Sequence, residues 1–428
     1  MRLQLWSYNY APEVTGIAPV SEVWAKAMME RGHDVEVVAA WPHYPEPKWE
    51  HPRRPYREVR DGIPVTRLPL LVGRANTAQR IRQELSFAAA QTAAIPALER
   101  PDVMIAASPS FPALAPAVLN ARLRRVPWVL WLHDILPDGA AATGLVDDGP
   151  VLRAARALER IAYREADRIV VLSQAFTRNL EAKGVPSDKI ELIYDPATRV
   201  PQANGSNGHA SNGHTSNGHA ANGYASNGNG SNGNGSNGNG RNGHHPTTLL
   251  SMGNIGFSQG LTEVVRAFES EPELNPGVRL VITGSGVAAP DAAQEIRTER
   301  VEMAGLVSSE QLEHELHGAT IALVTQKHGG EEFNIPSKLM NFMMYGLPVL
   351  ASVDTGSEVA RIVEASGGGW VVDNADPNLF AKAVREITES PDEIVRRGAA
   401  AGEYAAHNFN VDAFAAHFDD VLRRVVRS

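Results

Sequence analysis

The sequence predicts an α/β protein built from two doubly wound parallel sheets, and three observations predict it. Short apolar runs alternate with helical stretches, one Asn-Gly tract interrupts the alternation, and 428 residues exceed what one ordinary core organises. In the first half LQLWSYNY, DVEVVAA, VMIAAS, WVLWLHD and RIVVLS read as strands, separated by helices such as PVSEVWAKAMMERG and PVLRAARALERIAYREA. In the second half TLLSMG, RLVITG, IALVTQ and PVLASV do the same, with GLTEVVRAFES, SEQLEHELHGA and DPNLFAKAVREITE between them.

The tract from Asn204 to His245 repeats Asn-Gly and has almost no apolar side chains. It buries too little surface to offset the entropy of ordering, so it is expected to be a disordered tether or loop insertion, a coil spanning roughly 35 Å. Its histidines and NGS triplets are weak grounds for metal binding or glycosylation. The chain therefore divides into a domain over 1–200, a linker or insertion over 201–246, a domain over 247–405, and a C-terminal helix over 406–428 that packs back on the first domain.

Composition narrows the classes. A hydrophobic content of 43% is that of a globular protein, and a net charge of −9 argues against nucleic acid as the main partner. The absence of cysteine excludes disulfides and thiolate metal sites and fits a reducing compartment. MRLQLWSYNYAPEVTG carries charge early and a turn soon after, so it is expected to be neither a signal peptide nor a membrane span.

In doubly wound sheets ligands bind at the carboxyl ends of the strands, so the chemistry is sought in the loops that follow them. After the first strand, YAPEVTGIAPVSE places Gly16 at a helix start, where a backbone can approach an anion. LVGRANTAQRIRQELSFAAAQTAAIPAL sets Arg74, Arg80 and Arg82 beside an apolar helical run, which fits either anionic lipid or an ordinary surface helix. In WVLWLHDILPD, His133 and Asp134 follow an apolar strand directly. The histidine there can donate to a sugar hydroxyl or stabilise charge, and the aspartate can orient an attacking hydroxyl; a helix cap and a structural histidine are the competing readings.

The second half repeats the pattern. SMGNIGFSQGL offers Gly253, Asn254, Gly256 and Gly260 with Gln259, a loop whose amides can face phosphates, although it matches neither the P-loop nor the G-x-G-x-x-G pattern. KHGGEEFNIPSK brings Glu331 and Glu332, acceptors suited to a sugar's hydroxyls. FNIPSKLMNFMMYGLPV reads as a helix capped by Asn334, begun at Pro336 and stopped by Gly346. Lys338 and Asn341 share a face near its amino end, where free N–H groups and a lysine make a phosphate site. Ser357 and Glu358 begin a further helix, as caps.

Taken together, YAPEVTG, HDILPD, GNIGFSQGL and IPSKLMNFMMYGLPVLASVDTGSEVARIVEASGGG resemble a family-4 glycosyltransferase of the GT-B fold, two Rossmann-like domains facing across a cleft. The branch most resembled assembles exopolysaccharide and O-antigen units. The resemblance implies an acceptor on the first domain, a nucleotide-diphosphate sugar on the second, and transfer with retention. It puts Gly16 near the diphosphate, His133 near the donor sugar, and Lys338 with the Ser337 amide on the diphosphate. It also implies a metal-independent reaction with no cofactor, because no DxD-type acidic cluster is present. Two departures from the pattern stand out: Asn341 stands where many relatives have a ribose-binding glutamate, and Asn254 and Gln259 stand in the loop where many have an arginine and a lysine.

The resulting expectation is a retaining hexosyl- or N-acetylhexosaminyltransferase that uses a UDP-sugar and a lipid-linked or secondary-metabolite acceptor. Its expected place is the cytoplasm, with a peripheral contact at the inner membrane face. A GT-B nucleotide-sugar epimerase and a non-catalytic nucleotide-sugar-binding protein are the alternatives.

Overall fold

The computed structural model describes residues 1–13, 16–43, 49, 54–73, 77–108, 110–134, 149–201, 247–271, 274, 277–329 and 335–427. The Asn-Gly tract, Arg74, Glu331, Glu332 and Asn334 lie outside the described residues.

The first sheet contains β1 (Arg2–Ser7), β2 (Asp34–Ala40), β3 (Tyr56–Arg60), β4 (Ile63–Leu68), β5 (Val103–Ser108), β6 (Trp128–Leu132), β7 (Arg168–Val171) and β8 (Ile190–Leu192), in the order β3-β4-β2-β1-β5-β6-β7-β8. The second contains β9 (Thr247–Met252), β10 (Val278–Thr283), β11 (Val301–Gly305), β12 (Ile321–Thr325), β13 (Val349–Val353) and β14 (Gly369–Asp373), in the order β11-β10-β9-β12-β13-β14. Strand order reverses between β1 and β5 in one sheet and between β9 and β12 in the other, and crevices open beside such switch points.

The apolar runs are explained by cover on both faces. Leu3, Leu5, Val37 and Trp131 pack with Trp24 and Met28 on one side of the first sheet, while Trp6, Val38, Leu130 and Leu132 pack with Phe87 and Phe176 on the other. Five strands escaped the reading of apolar runs. Strand β3 is antiparallel to β4 at an edge, with side chains alternating in exposure, and β8 has three residues. The edge strands β11 and β14 are only partly buried, and β4 carries Thr66 and Arg67 within it.

The helix Val411–Arg427 lies on the first domain although the preceding helix, Pro391–Asn408, packs on the second. Phe418 meets Trp24 and Trp131 at centroid distances of 5.7 and 5.1 Å. Phe414, Phe418 and Leu422 are fully buried there, each worth about 1.5–3 kcal/mol of apolar transfer.

Two segments cross between the domains and touch: Ala197 N–H donates to Phe409 O at 2.8 Å. Thr198 and Arg199 N–H both donate to Asn341 Oδ1, at 3.0 and 3.1 Å. Ser357 caps the helix Glu358–Ser366 by accepting from Ala360 N–H at 3.2 Å. Glu358 does more than begin the helix: buried, it accepts from Gln174 N–H of the first domain at 3.4 Å and from Tyr194 Oη at 3.3 Å, and it pairs with Arg361.

Candidate active site

In the second domain two glycine loops lock backbone to backbone. Gly253 N–H donates to Thr283 O and Ile255 N–H to Ser285 O, both at 2.9 Å. At Gly284 (φ 131°) a Cβ would fall 1.8 Å from Gly253 O, and at Gly286 one would fall 2.3 Å from Ile255 O. Only glycine fits these positions. Asn254 and Gly256, whose backbone is extended at φ −97°, are thereby held at the carboxyl edge of β9.

The helix of the PSKL stretch runs Ser337–Met344, one residue later than its sequence predicts. Pro336 is extended (φ −63°, ψ 127°) and precedes the first turn, so Ser337 opens the helix, exposed. Lys338 is not a solvated surface lysine: only 6% of it is exposed, and its Nζ donates to Gln259 Oε1 at 3.0 Å. Gln259 Nε2 in turn donates to Asn254 O at 2.5 Å. The structure thus joins Lys338 to the loop of Gln259 and Asn254, from which the sequence places it far away.

Burial lowers the Lys338 ammonium to about 8, and among the described residues no carboxylate pairs with it. A desolvated cation held by one neutral amide at a helix amino end is unbalanced until an anion arrives. Asn341, one turn on and also buried, turns its oxygen to the crossing segment at Thr198 and Arg199.

The ends of β12, β13 and β14 bring His328, Asp354 and Asp373 together, with ligand atoms within 4.8 Å of one another. His328 Nδ1 and Asp354 Oδ1 lie 2.6 Å apart, and this contact raises the imidazole pKa. The group is largely exposed and already satisfied internally, and the sequence reading did not select it.

On the first domain, Gly16 adopts φ 61° just before the helix Ala18–Glu30. The loops after β1 and β2 are tied by Glu13, buried, which accepts from His43 N–H and from Asn9 Nδ2, both at 2.9 Å. His133 follows β6, its ring 4.7 Å from that of Trp131, and Asp134 is half-buried beside it. His133 Nδ1 stands 3.5 Å from Asp195 Oδ2. Burial pushes the imidazole down to about 3 and the Asp195 carboxyl up to about 8, so it favours the uncharged form of each.

Glu13, His43 and Asp195 were all missed. No motif at a fixed spacing marks them, because their partners come from other loops. Arg80 and Arg82 are exposed on the helix Thr77–Ala94, with Arg80 3.4 Å from Glu84. Around them Leu71, Val72, Ile81 and Leu85 are exposed too, while Gln83 and Phe87 face the core. The cleft groups therefore divide between the domains.

The chain is similar to known proteins. Residues 15–196 match the family described as a glycosyl transferase 4-like domain, and residues 246–390 match glycosyl transferases group 1. The putative colanic acid biosynthesis glycosyl transferase WcaI of Escherichia coli is 23% identical across 99% of this chain and 100% of its own. The probable glycosyltransferase WbjE of Pseudomonas aeruginosa is 25% identical across 61% and 60%. Among solved structures, Anabaena HepE in complex with UDP has a TM-score of 0.65 at 13% identity, covering 99% of this chain and 100% of that one. Sucrose-phosphate synthase from Thermosynechococcus elongatus has a TM-score of 0.68 at 16% identity, covering 100% and 99%. These two likenesses show the fold. With both family matches falling on the two sheets described above, the chain belongs to the family-4 glycosyltransferases of the GT-B fold.

Proposed function

We propose that the protein transfers a hexose or N-acetylhexosamine from a UDP-sugar to a lipid-linked acceptor during assembly of a surface polysaccharide, with retention at the anomeric carbon and without a metal. The observation that carries this reading is Lys338, buried and lacking a described carboxylate at the amino end of its helix. Its charge and the free amides of the first turn would stabilise the departing diphosphate as the sugar–oxygen bond breaks. His133, across the cleft, would donate to a hydroxyl of the sugar. Gly16 at its helix start, Gly256 and Ser337 would let backbone approach the phosphates.

Support for UDP and for polysaccharide assembly comes from relatives: HepE has been solved with UDP-glucose as well as UDP, and WcaI is named for colanic acid biosynthesis. Support for a lipid-side acceptor comes from the helix Thr77–Ala94, where Arg80 and Arg82 sit among exposed Leu71, Val72, Ile81 and Leu85. Apolar side chains ringed by arginine suit peripheral contact with an anionic leaflet on the cytoplasmic side. Among the described residues no helix is long and apolar enough to cross a membrane.

The test is UDP release from UDP-sugars, with and without lipid-linked acceptor, in EDTA. The reading expects release that requires acceptor, survives chelation and gives a product of the donor's anomeric configuration. Conversion of the UDP-sugar without acceptor would mean an epimerase instead, and an inverted product would remove the retaining mechanism.

A further inference from the structure

His133 comes from the first domain, but the group that holds its ring comes from the crossing segment. Asp195 follows β8 on the way to the second domain, and the residues just after it are fixed there: Ala197 to Phe409, and Thr198 and Arg199 to Asn341. Asn341 lies on the same helix as Lys338. The partner of the sugar-side histidine is thus tied through a few residues to the diphosphate helix.

The side chains of His133 and Asp195 are 11% and 13% exposed, with Nδ1 and Oδ2 3.5 Å apart. That is the outer limit of a hydrogen bond, and such contacts are commonly long before a substrate is bound. The other ends, His133 Nε2 and Asp195 Oδ1, are buried with no hydrogen-bond partner among the described residues. A native fold keeps such orphans rarely, and a water, an ion or a ligand atom is the partner such a group calls for.

The pair has two neutral-sum arrangements, carboxylate with imidazolium or carboxylic acid with imidazole. Burial, with no cation pairing with Asp195 among the described residues, favours the uncharged one. An acid O–H can donate only to a bare Nδ1, which leaves the ring hydrogen on Nε2. We propose that Asp195 is a positioning residue for transfer: protonated, it donates to His133 Nδ1 and fixes the tautomer whose Nε2–H is offered to a hydroxyl oxygen of the donor sugar. This inference rests on reading the cleft as the transfer site.

The test follows the imidazole nitrogens of His133 by NMR in the 15N-labelled full chain, assigned with His133→Gln, from neutral to alkaline pH. The Nε2–H tautomer is expected at pH 7, giving way to Nδ1–H as Asp195 loses its proton near 8. Asp195→Asn should abolish the change, because an amide N–H donates to Nδ1 at every pH. Asp195 is the one titratable partner within ion-pair distance of the ring among the described residues. Its neighbour Asp134, and Lys338, which also titrates near 8 but contacts Gln259, serve as controls: Asp134→Asn and Lys338→Gln should leave the tautomer change in place.

In turnover at pH 7, Asp195→Ala should lower kcat by roughly 10- to 100-fold, as loss of an imidazole's orienting partner does, with UDP affinity unchanged. Asp195→Asn should stay close to the native rate. An Nδ1–H tautomer at pH 7, or an Asp195→Asn variant as slow as Asp195→Ala while folded, overturns the proposal. Absence of any transfer by the native protein would defeat the glycosyltransferase site reading, and the tautomer signal would still decide whether Asp195 sets His133.

Discussion

The two domains present parallel-sheet edges to one cleft but equip them by different means. The second uses backbone: glycine loops pressed together at Gly253–Gly284 and Ile255–Gly286, a helix amino end, and one buried lysine. The first uses side chains brought from separate loops, Glu13 with His43 and His133 with Asp195. Backbone amides suit a diphosphate, which all nucleoside-diphosphate sugars share. Side-chain pairs suit a sugar or acceptor, whose hydroxyls differ from case to case. The difference teaches that a fold of repeated plan can separate a generic task from a specific one.

The sharpest way to break this comparison is to remove one group from each side. His133→Ala should reduce kcat by roughly 10²–10³-fold, the usual loss for a donor acting on a developing charge, and leave UDP binding nearly intact. Lys338→Ala should weaken UDP by roughly 10- to 100-fold, as expected for a charge-assisted hydrogen bond, and should lower kcat as well, because the departing diphosphate loses its countercharge. Equal effects of both variants on both quantities would erase the division.

A pH series sharpens it. The Lys338 ammonium is held down to about 8 by burial, so its charge is present below that value and lost above it. UDP affinity measured calorimetrically should therefore fall as pH rises through about 8, with the midpoint displaced upward by the bound diphosphate, and the fall should vanish in Lys338→Gln.

Smaller effects test the backbone side. Gly284→Ala would drive a Cβ into Gly253 O and should lower stability by about 2–4 kcal/mol in thermal or urea unfolding. Gly16→Ala has, among the described residues, Asn9 Oδ1 nearby at 4.0 Å and should lose no more than about 1–2 kcal/mol through its positive φ. Removing residues 204 to 245 while keeping a short linker should change neither transfer nor UDP affinity. A loss of activity on that deletion would make the tract more than a tether.

Much of the fold was legible because both-face burial writes itself as apolar runs. Strands β3 and β4 were not, although Asp61 and Gly62 between them form a tight hairpin with φ of 49° and 82°, a turn signal present in the sequence. The edge position of β3 removes the apolar run that would have flagged it.

The candidate site divides in the same way as the domains. Lys338, Gln259 and Asn254 could be selected because each lies in a local strand–loop–helix pattern. Asp195 could not, since its relation to His133 exists only once β6 and the crossing segment are folded together. Asn341 was selected for ribose, and its oxygen is engaged instead with the backbone of 198 and 199, a contact that no local pattern encodes.

The most direct test of the account is calorimetric titration of the full chain with UDP, GDP, dTDP, CMP and ADP, with Lys338→Ala alongside. UDP is expected to bind in preference to the others, and the variant, still folded, to lose most of that affinity. Binding of no nucleotide by the folded native protein, or equal UDP binding by Lys338→Ala, would contradict it.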